Sequence, residues 1–331
     1  DRHPSLGENT MTAIHGENEY RYTISNSWAK VPPGMEWSEV AAVAIDHRDQ
    51  VYVFNRGPHP MMVFDRSGNF LQSWGEDYFV RAHGAHIGDD GFLYLTDDGR
   101  HTVSKCTLDG HIELTLGIPE SAAPFMSLMP FNRCTHTALS PNGEIYVSDG
   151  YGNACIHKYA PNGKRLFSWG EPGTGPGEFN LPHNICCDAD GWVYVADRES
   201  HRIQVFNSNG KFETQWTNVH RPCGLFMPST RCPVCYVGEL GPVLGANANF
   251  PNLGPRISVM DNHGRVLARV NGSLEEDNAP DRFIAPHGLA VDSFGDVYVG
   301  EVSATAWPQI HPEKPVPRPL STLRKMVRIN N

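Results

Sequence analysis

One phrase, an apolar strand, a polar turn and a second strand centred on tyrosine, occurs six times in this chain: AVAIDHRDQVYVFN, HIGDDGFLYLTD, TALSPNGEIYVSD, NICCDADGWVYVAD, MPSTRCPVCYVGE and LAVDSFGDVYVGE. Its tyrosines, Tyr52, Tyr94, Tyr146, Tyr194, Tyr236 and Tyr298, stand 42, 52, 48, 42 and 62 residues apart. Such intervals hold four short antiparallel strands with loops of variable length. Third and fourth strands are legible after several of the phrases, as in MMVFDRSGNFLQSWG, IHKYAPNGKRLFSWG and IQVFNSNGKFETQW. A lone sheet of this kind leaves two edges and an apolar face uncovered, so the sheets are expected to pack radially and close. The expected fold is all-β: a six-bladed β-propeller of four-stranded antiparallel blades, one unit over residues 1–331. The last repeat ends in TLRKMVRIN with no fourth strand, whereas YRYTISNSW near the start is a strand without a blade. Residues near 20–28 are therefore expected to complete blade 6 and fasten the ring.

Composition agrees with strands and tight turns: 40% apolar and 19% charged residues, with 32 Gly and 26 Pro. A formal charge of -10 without a long Lys or Arg block gives no electrostatic reason to bind nucleic acid or an anionic membrane. No run of about 18 apolar residues is present, and the opening residues lack a basic start followed by an apolar stretch. The expected partner is a small-molecule substrate; no oligomeric state is specified. The 8 cysteines are too sparse for a disulfide framework, and Cys232-Pro-Val-Cys235 has no second spaced pair to complete a zinc site. Cys186 and Cys187, being adjacent, point to opposite faces of a strand and read as structural.

Counting eleven residues back from each tyrosine gives Ala41, His83, Thr135, His183, Leu225 and His287. Histidine falls on blades 2, 4 and 6, which in a six-fold ring stand about 120° apart, at the opening of the strand that lines the channel. Taken singly, any of the 16 histidines is better read as a satisfied channel residue. Three at one repeat position in strict alternation point instead to a shared axial ion. Three neutral imidazoles form a ligand set for zinc, or for another divalent transition metal such as iron, manganese or cobalt, with a position left open for substrate or water. His86 and His136 lie near the same openings and read as channel-facing residues rather than ligands. Three residues beyond each tyrosine come Asn55, Asp97, Asp149, Asp197, Glu239 and Glu301, to which strand-end roles as acceptors of turn amides are assigned. Arg56, Tyr151 and Arg198, just after three of them, are placed to reach the channel mouth. There an arginine can clamp a carboxylate, and a tyrosine whose pKa is lowered can act as a base. From spacing alone, surface salt bridges explain them equally well.

The stretch VSDGYGNACIHKYAPNGKRLFSWGEPGTGPGEFNLPHNICCDADGWVYVADRESHRIQVF resembles peptidyl-α-hydroxyglycine α-amidating lyase, a six-bladed propeller of the NHL-repeat class. VAIDHRDQVYVFNRG, AHGAHIGDDGFLYLTD and APHGLAVDSFGDVYVG extend the likeness over roughly residues 39–300, all blades but the fifth. The resemblance implies a catalytic zinc on His83, His183 and His287, an active-site arginine at Arg56, a catalytic tyrosine at Tyr151 and a further arginine at Arg198. It also implies the reaction: cleavage of a carbinolamide into an amide and glyoxylate, with Tyr151 taking the hydroxyl proton and Arg56 stabilising charge.

Departures from the family pattern bend these expectations. Ala285-Pro286-His287-Gly288 stands where the family has Met-Pro-His-Asp, removing a methionine beside the substrate and an aspartate of a structural calcium site. The carbonyls of Val43 and Ala85 alone supply little charge for a dication, so Ca2+ is not expected. Gly152 and Val205 replace family cysteines, so its disulfides are not reproduced, which slightly favours a reducing, cytoplasmic setting. With Ala285 reshaping the pocket, a small hydroxylated substrate is expected in place of a peptide. Two other classes stay open: a metal-dependent lactone or ester hydrolase, and a non-catalytic binding propeller that uses the long insertions 239–256 and 301–320.

Overall fold

A strand rich in β-branched and aromatic residues on both faces is stable only when covered on both sides. The computed structural model describes residues 13–228, 234–274 and 276–330. In it the tyrosine-centred strands Val51–Asn55, Leu93–Asp97, Ile145–Asp149, Val193–Asp197 and Val297–Glu301 are buried from end to end. Outer strands such as Phe70–Trp74 and Arg165–Trp169, covered on one side, are only half buried.

The strands form six antiparallel sheets, each with its strands in sequence order except the last. The first strands are Val40–Ile45, Ala82–Ile87, Cys134–Leu139, Pro182–Cys187, Pro222–Phe226 and Pro286–Val291. Each packs on the first strands of its two neighbours, the sixth on the first, and together they enclose the central channel. Blade 6 consists of Pro286–Val291, Val297–Glu301 and Leu323–Arg328 completed by Tyr20–Ser25, which pairs Tyr22 with Arg328 and Ser25 with Lys325. The expected closure is thus present. His15–Glu17 adds a fifth strand outside it.

The recurrent tyrosine has a physical cause. In four blades its hydroxyl donates to the aspartate of the preceding turn: Tyr52 to Asp46, Tyr94 to Asp90, Tyr194 to Asp188 and Tyr298 to Asp292. Asp188 also accepts from the amides of Asp190 and Trp192, so one carboxylate ties the turn to the strand that leaves it. The insertion in 301–320 holds the one α-helix of the described residues, Ser303–Ile310, which the all-strand reading of the repeats does not anticipate. Among the described residues no helix is long and apolar enough to cross a membrane. The described cysteines are free thiols, and Cys232 of the Cys-Pro-Val-Cys motif lies outside the described residues.

Candidate metal centre and its mouth

Every first strand breaks register with the second at the same place. Pairing skips from Ala82 to Gly84, from Pro182 to Asn184 and from Pro286 to Gly288, leaving His83, His183 and His287 on bulges. A bulge turns its extra residue out of the pleat, and the three imidazoles meet, with ring centroids 4.7–4.9 Å apart. One nitrogen of each lies within 4.8 Å of the other two.

Blades 1, 3 and 5 carry the same bulge at Ala41, Thr135 and Cys223. For blade 5 this corrects the eleven-residue count, which falls on Leu225: the hairpin before Tyr236 is two residues longer than in the other blades, so the count overshoots. The three non-histidine bulges orient the three histidines. His83 Nδ1 donates to Thr135 O, His183 Nδ1 to Cys223 O and His287 Nδ1 to Ala41 O, each at 2.7 Å. With Nδ1 protonated and fixed, each neutral ring presents the Nε2 lone pair, the tautomer a metal ligand needs. Burial above all holds the three well below the usual imidazole range; neighbouring imidazoles add to it at His83 and His183, and the Arg56 or Arg198 guanidinium adds to it at each. A buried set of three neutral, pre-oriented imidazoles fits a divalent transition metal.

Tyr151, just past the second strand of blade 3, brings its hydroxyl to 3.0 Å from both His83 Nε2 and His183 Nε2. Its pKa is raised, contrary to the lowering a base requires: burial outweighs the Arg198 guanidinium. The guanidiniums of Arg133 and Arg198 lie 4.5 and 5.7 Å from the centroid of its ring. Arg56 and Arg198 are not surface salt bridges. Arg56, largely covered, pairs with Glu39 at 2.8 Å and donates to Ala82 O, while Arg198 pairs with Glu199 at 2.7 Å. Both line a cavity of about 210 Å3 above the imidazoles.

The repeat-end acids accept turn and loop amides: Asp97 from Val80 and Arg81, Asp197 from Asn180, Glu239 from His220, Glu301 from Ile284 and Ala285. In blades 4 to 6 an arginine faces the acid, as Arg202, Arg256 and Arg324. Blade 3 instead has Cys155 opposite its acid Asp149 and adds His157. Asp149, Cys155 and His157 make a second buried cluster of ligand-type atoms. It is already closed, with His157 bonded to Asp149 at 3.2 Å and to Ser168 at 2.7 Å.

Several wall residues escaped the sequence reading: Arg81, Arg133, Arg221, Cys223 and the helix Ser303–Ile310. Cys223 Sγ lies 3.4 Å from His183 Nδ1, and burial pushes its thiol up to about 11. The signal was available in the repeat. The residue two before each bulge reads Glu39, Arg81, Arg133, Leu181, Arg221 and Ala285, so one more aligned column exposes three of the arginines.

Fold and site together define a six-bladed propeller with an axial triple-histidine centre. Residues 131–159 and 179–206 match the NHL repeat. Human NHL repeat-containing protein 3 is 30% identical over 91% of this chain and 87% of its own length. The chain belongs to the NHL-repeat family of propellers. It is also similar to Xenopus laevis peptidyl-glycine alpha-amidating monooxygenase B, at 28% identity over 83% of this chain but 34% of that protein. Drosophila melanogaster peptidyl-alpha-hydroxyglycine alpha-amidating lyase 1 is 30% identical over 78% of this chain and 50% of its own length. The chain thus spans about a third of the length of the amidating monooxygenases it matches. A Xanthomonas campestris gluconolactonase aligns over 96% of this chain and 95% of its own with TM-score 0.60 at 11% identity, a likeness of fold alone.

Proposed function

We propose that the protein is a metal-dependent carbon–nitrogen lyase acting on a small carbinolamide, a carbon bearing hydroxyl, amide nitrogen and carboxylate. The observation that carries this is the hydroxyl of Tyr151 held at 3.0 Å from two of three converging, Nδ1-anchored imidazoles. His83, His183 and His287 would hold the ion, zinc by the chemistry of the donors. Bound there, it would supply a positive charge that polarises an oxygen and lowers the pKa of a neighbouring phenol against the effect of burial.

The chain's own residues account for the rest. Arg198 at the cavity wall binds the substrate carboxylate and fixes the carbinol carbon over the imidazoles, and Arg56 stabilises the charge that develops there. Tyr151 Oη, as phenolate, takes the hydroxyl proton; the carbon–oxygen bond becomes a carbonyl as the carbon–nitrogen bond breaks, and the proton passes to the departing nitrogen. An amide and an α-oxo acid result, with no water consumed. Relatives named for amidating lyase activity support this reaction class. The test is to incubate the purified protein with α-hydroxyhippurate and follow both products. Equimolar benzamide and glyoxylate above the spontaneous rate are expected; benzoate, or no acceleration, would refute the lyase.

A further inference from the structure

The cavity wall above the imidazoles is both charged and apolar. Arg56, Arg81, Arg133, Arg198 and Arg221 line it together with Leu240, Val243, Ile284, Val302 and Ile310, and of the apolar residues Leu240, Ile284, Val302 and Ile310 pack in one cluster. The acids that pair with these arginines, Glu39, Asp98 and Glu199, are not on the wall but behind the guanidiniums.

The pairing is uneven. Arg56 and Glu39 neutralise one another, and Glu39 also accepts from Thr305 N and Oγ1, docking the helix. Arg81 and Arg133, however, share the single buried carboxylate of Asp98, at 2.5 and 2.8 Å. Arg198 and Arg221 likewise share Glu199, at 2.7 and 3.0 Å. Each triad, two guanidiniums on one carboxylate, therefore carries one net positive charge at the cavity wall. Unbalanced like charges this close repel one another and destabilise the mouth, a cost offset when an anion binds. Tyr151 stands between the triads, its ring shared by Arg133 and Arg198. Those two guanidiniums, 4.5 and 5.7 Å from the ring centroid, stand no more than about 10 Å apart, a gap that a short dicarboxylate bridges.

We infer that the site takes a dianionic substrate, a short dicarboxylate with an apolar acyl segment. One carboxylate lies on the Arg198–Glu199–Arg221 triad and the second on the Arg81–Asp98–Arg133 triad, with the apolar segment against the apolar cluster. The inference rests on the proposed lyase site for its first carboxylate and adds the second. A carbinolamide of this class is an α-hydroxyglycine whose acyl group ends in an acid, as in N-succinyl-α-hydroxyglycine. Its product is the mono-amide of a dicarboxylic acid.

Calorimetric titration of the purified protein with glutarate and with butyrate tests this. Glutarate is expected to bind at least about tenfold more tightly than butyrate, as one added charge-assisted contact requires. Arg133→Gln, at a side chain 42% exposed and so replaceable without unfolding, should bring the ratio of affinities toward one, and Arg133→Lys should restore much of it. Equal affinities in the wild type, or a ratio unchanged in both Arg133→Gln and Arg81→Gln, would overturn the inference. Failure of the lyase reads differently. Preference for glutarate without glyoxylate release from any hydroxyglycine keeps the two triads and removes the reaction. Equal kcat/KM for N-succinyl- and N-butyryl-α-hydroxyglycine, with no preference for glutarate, keeps the reaction and removes the second carboxylate site.

Discussion

Blades 2, 4 and 6 and blades 1, 3 and 5 have the same bulge at the mouth of the same channel, but use it differently. The even blades place an imidazole there; the odd blades place Ala41, Thr135 and Cys223, whose carbonyls receive the imidazole Nδ1–H of the preceding blade. One backbone device thus supplies both the ligand-type atoms and the partners that orient them. Because each histidine is held by the next blade, the geometry of the centre depends on closure of the ring. The fold and the site are accordingly one problem in this protein.

Removing an even-blade ligand should have the largest effect. His183→Ala is expected to abolish stoichiometric metal and lower turnover by at least about 10³-fold, because two imidazoles form an incomplete set. Metal content by elemental analysis, with circular dichroism to verify the blades, decides it; full metal occupancy in the variant would remove His183 from the centre. Tyr151→Phe comes next. It removes the hydroxyl 3.0 Å from His83 and His183, and kcat should fall by about 10²–10⁴ with metal content unchanged. An unaltered kcat would exclude the hydroxyl as the proton acceptor.

This difference between blades also explains what the sequence could reveal. Strand periodicity and the tyrosine-to-aspartate tie are local, so the ring, its closure by residues near 20–28 and the alternate histidines are legible from one repeat laid on another. Cys223 was not, because its position depends on a hairpin two residues longer in blade 5, and a fixed count cannot see an insertion. Arg81, Arg133 and Arg221 share one column of the repeat, two residues before the bulge, but their pairing with Asp98 and Glu199 in three-body contacts is something no spacing within a repeat encodes. The helix Ser303–Ile310 carries Pro308 inside it, a residue that argues against helix in any local reading.

The odd blades can be perturbed through the glycines that make room for their carbonyls. A Cβ on Gly84 would lie 2.6 Å from Thr135 O, and one on Gly288 would lie 2.7 Å from Ala41 O, the acceptors of His83 and His287. Gly84→Ala or Gly288→Ala must therefore push aside a carbonyl that orients a histidine. Metal affinity should weaken by roughly 10–100-fold, as for loss of an outer-shell partner, with about 1–3 kcal/mol of stability. Competition with a chromogenic chelator measures the first. Unchanged affinity in both variants would mean that the odd blades are packing alone.

The smallest expected effect separates the axial histidines from their channel neighbours His86 and His136. Burial pushes both down to about 4; Asp90 pulls His86 partly back up, and His86 lowers His136 further. Since the folded state disfavours the charged ring, the unfolded chain binds more protons between pH 6.5 and 4. The stabilisation is therefore complete above about 6.5, the unfolded value, and is lost as pH falls toward the folded value near 4. Near pH 5 each should already have forfeited roughly 1 kcal/mol, after discounting for the partial exposure of both rings. Urea midpoints at pH 7 and pH 5 for the wild type and for the His86→Gln, His136→Gln double variant measure it. The variant should lose less stability on acidification, because neutral amides have no proton to gain; an identical acid sensitivity in the two proteins would assign the loss to other groups.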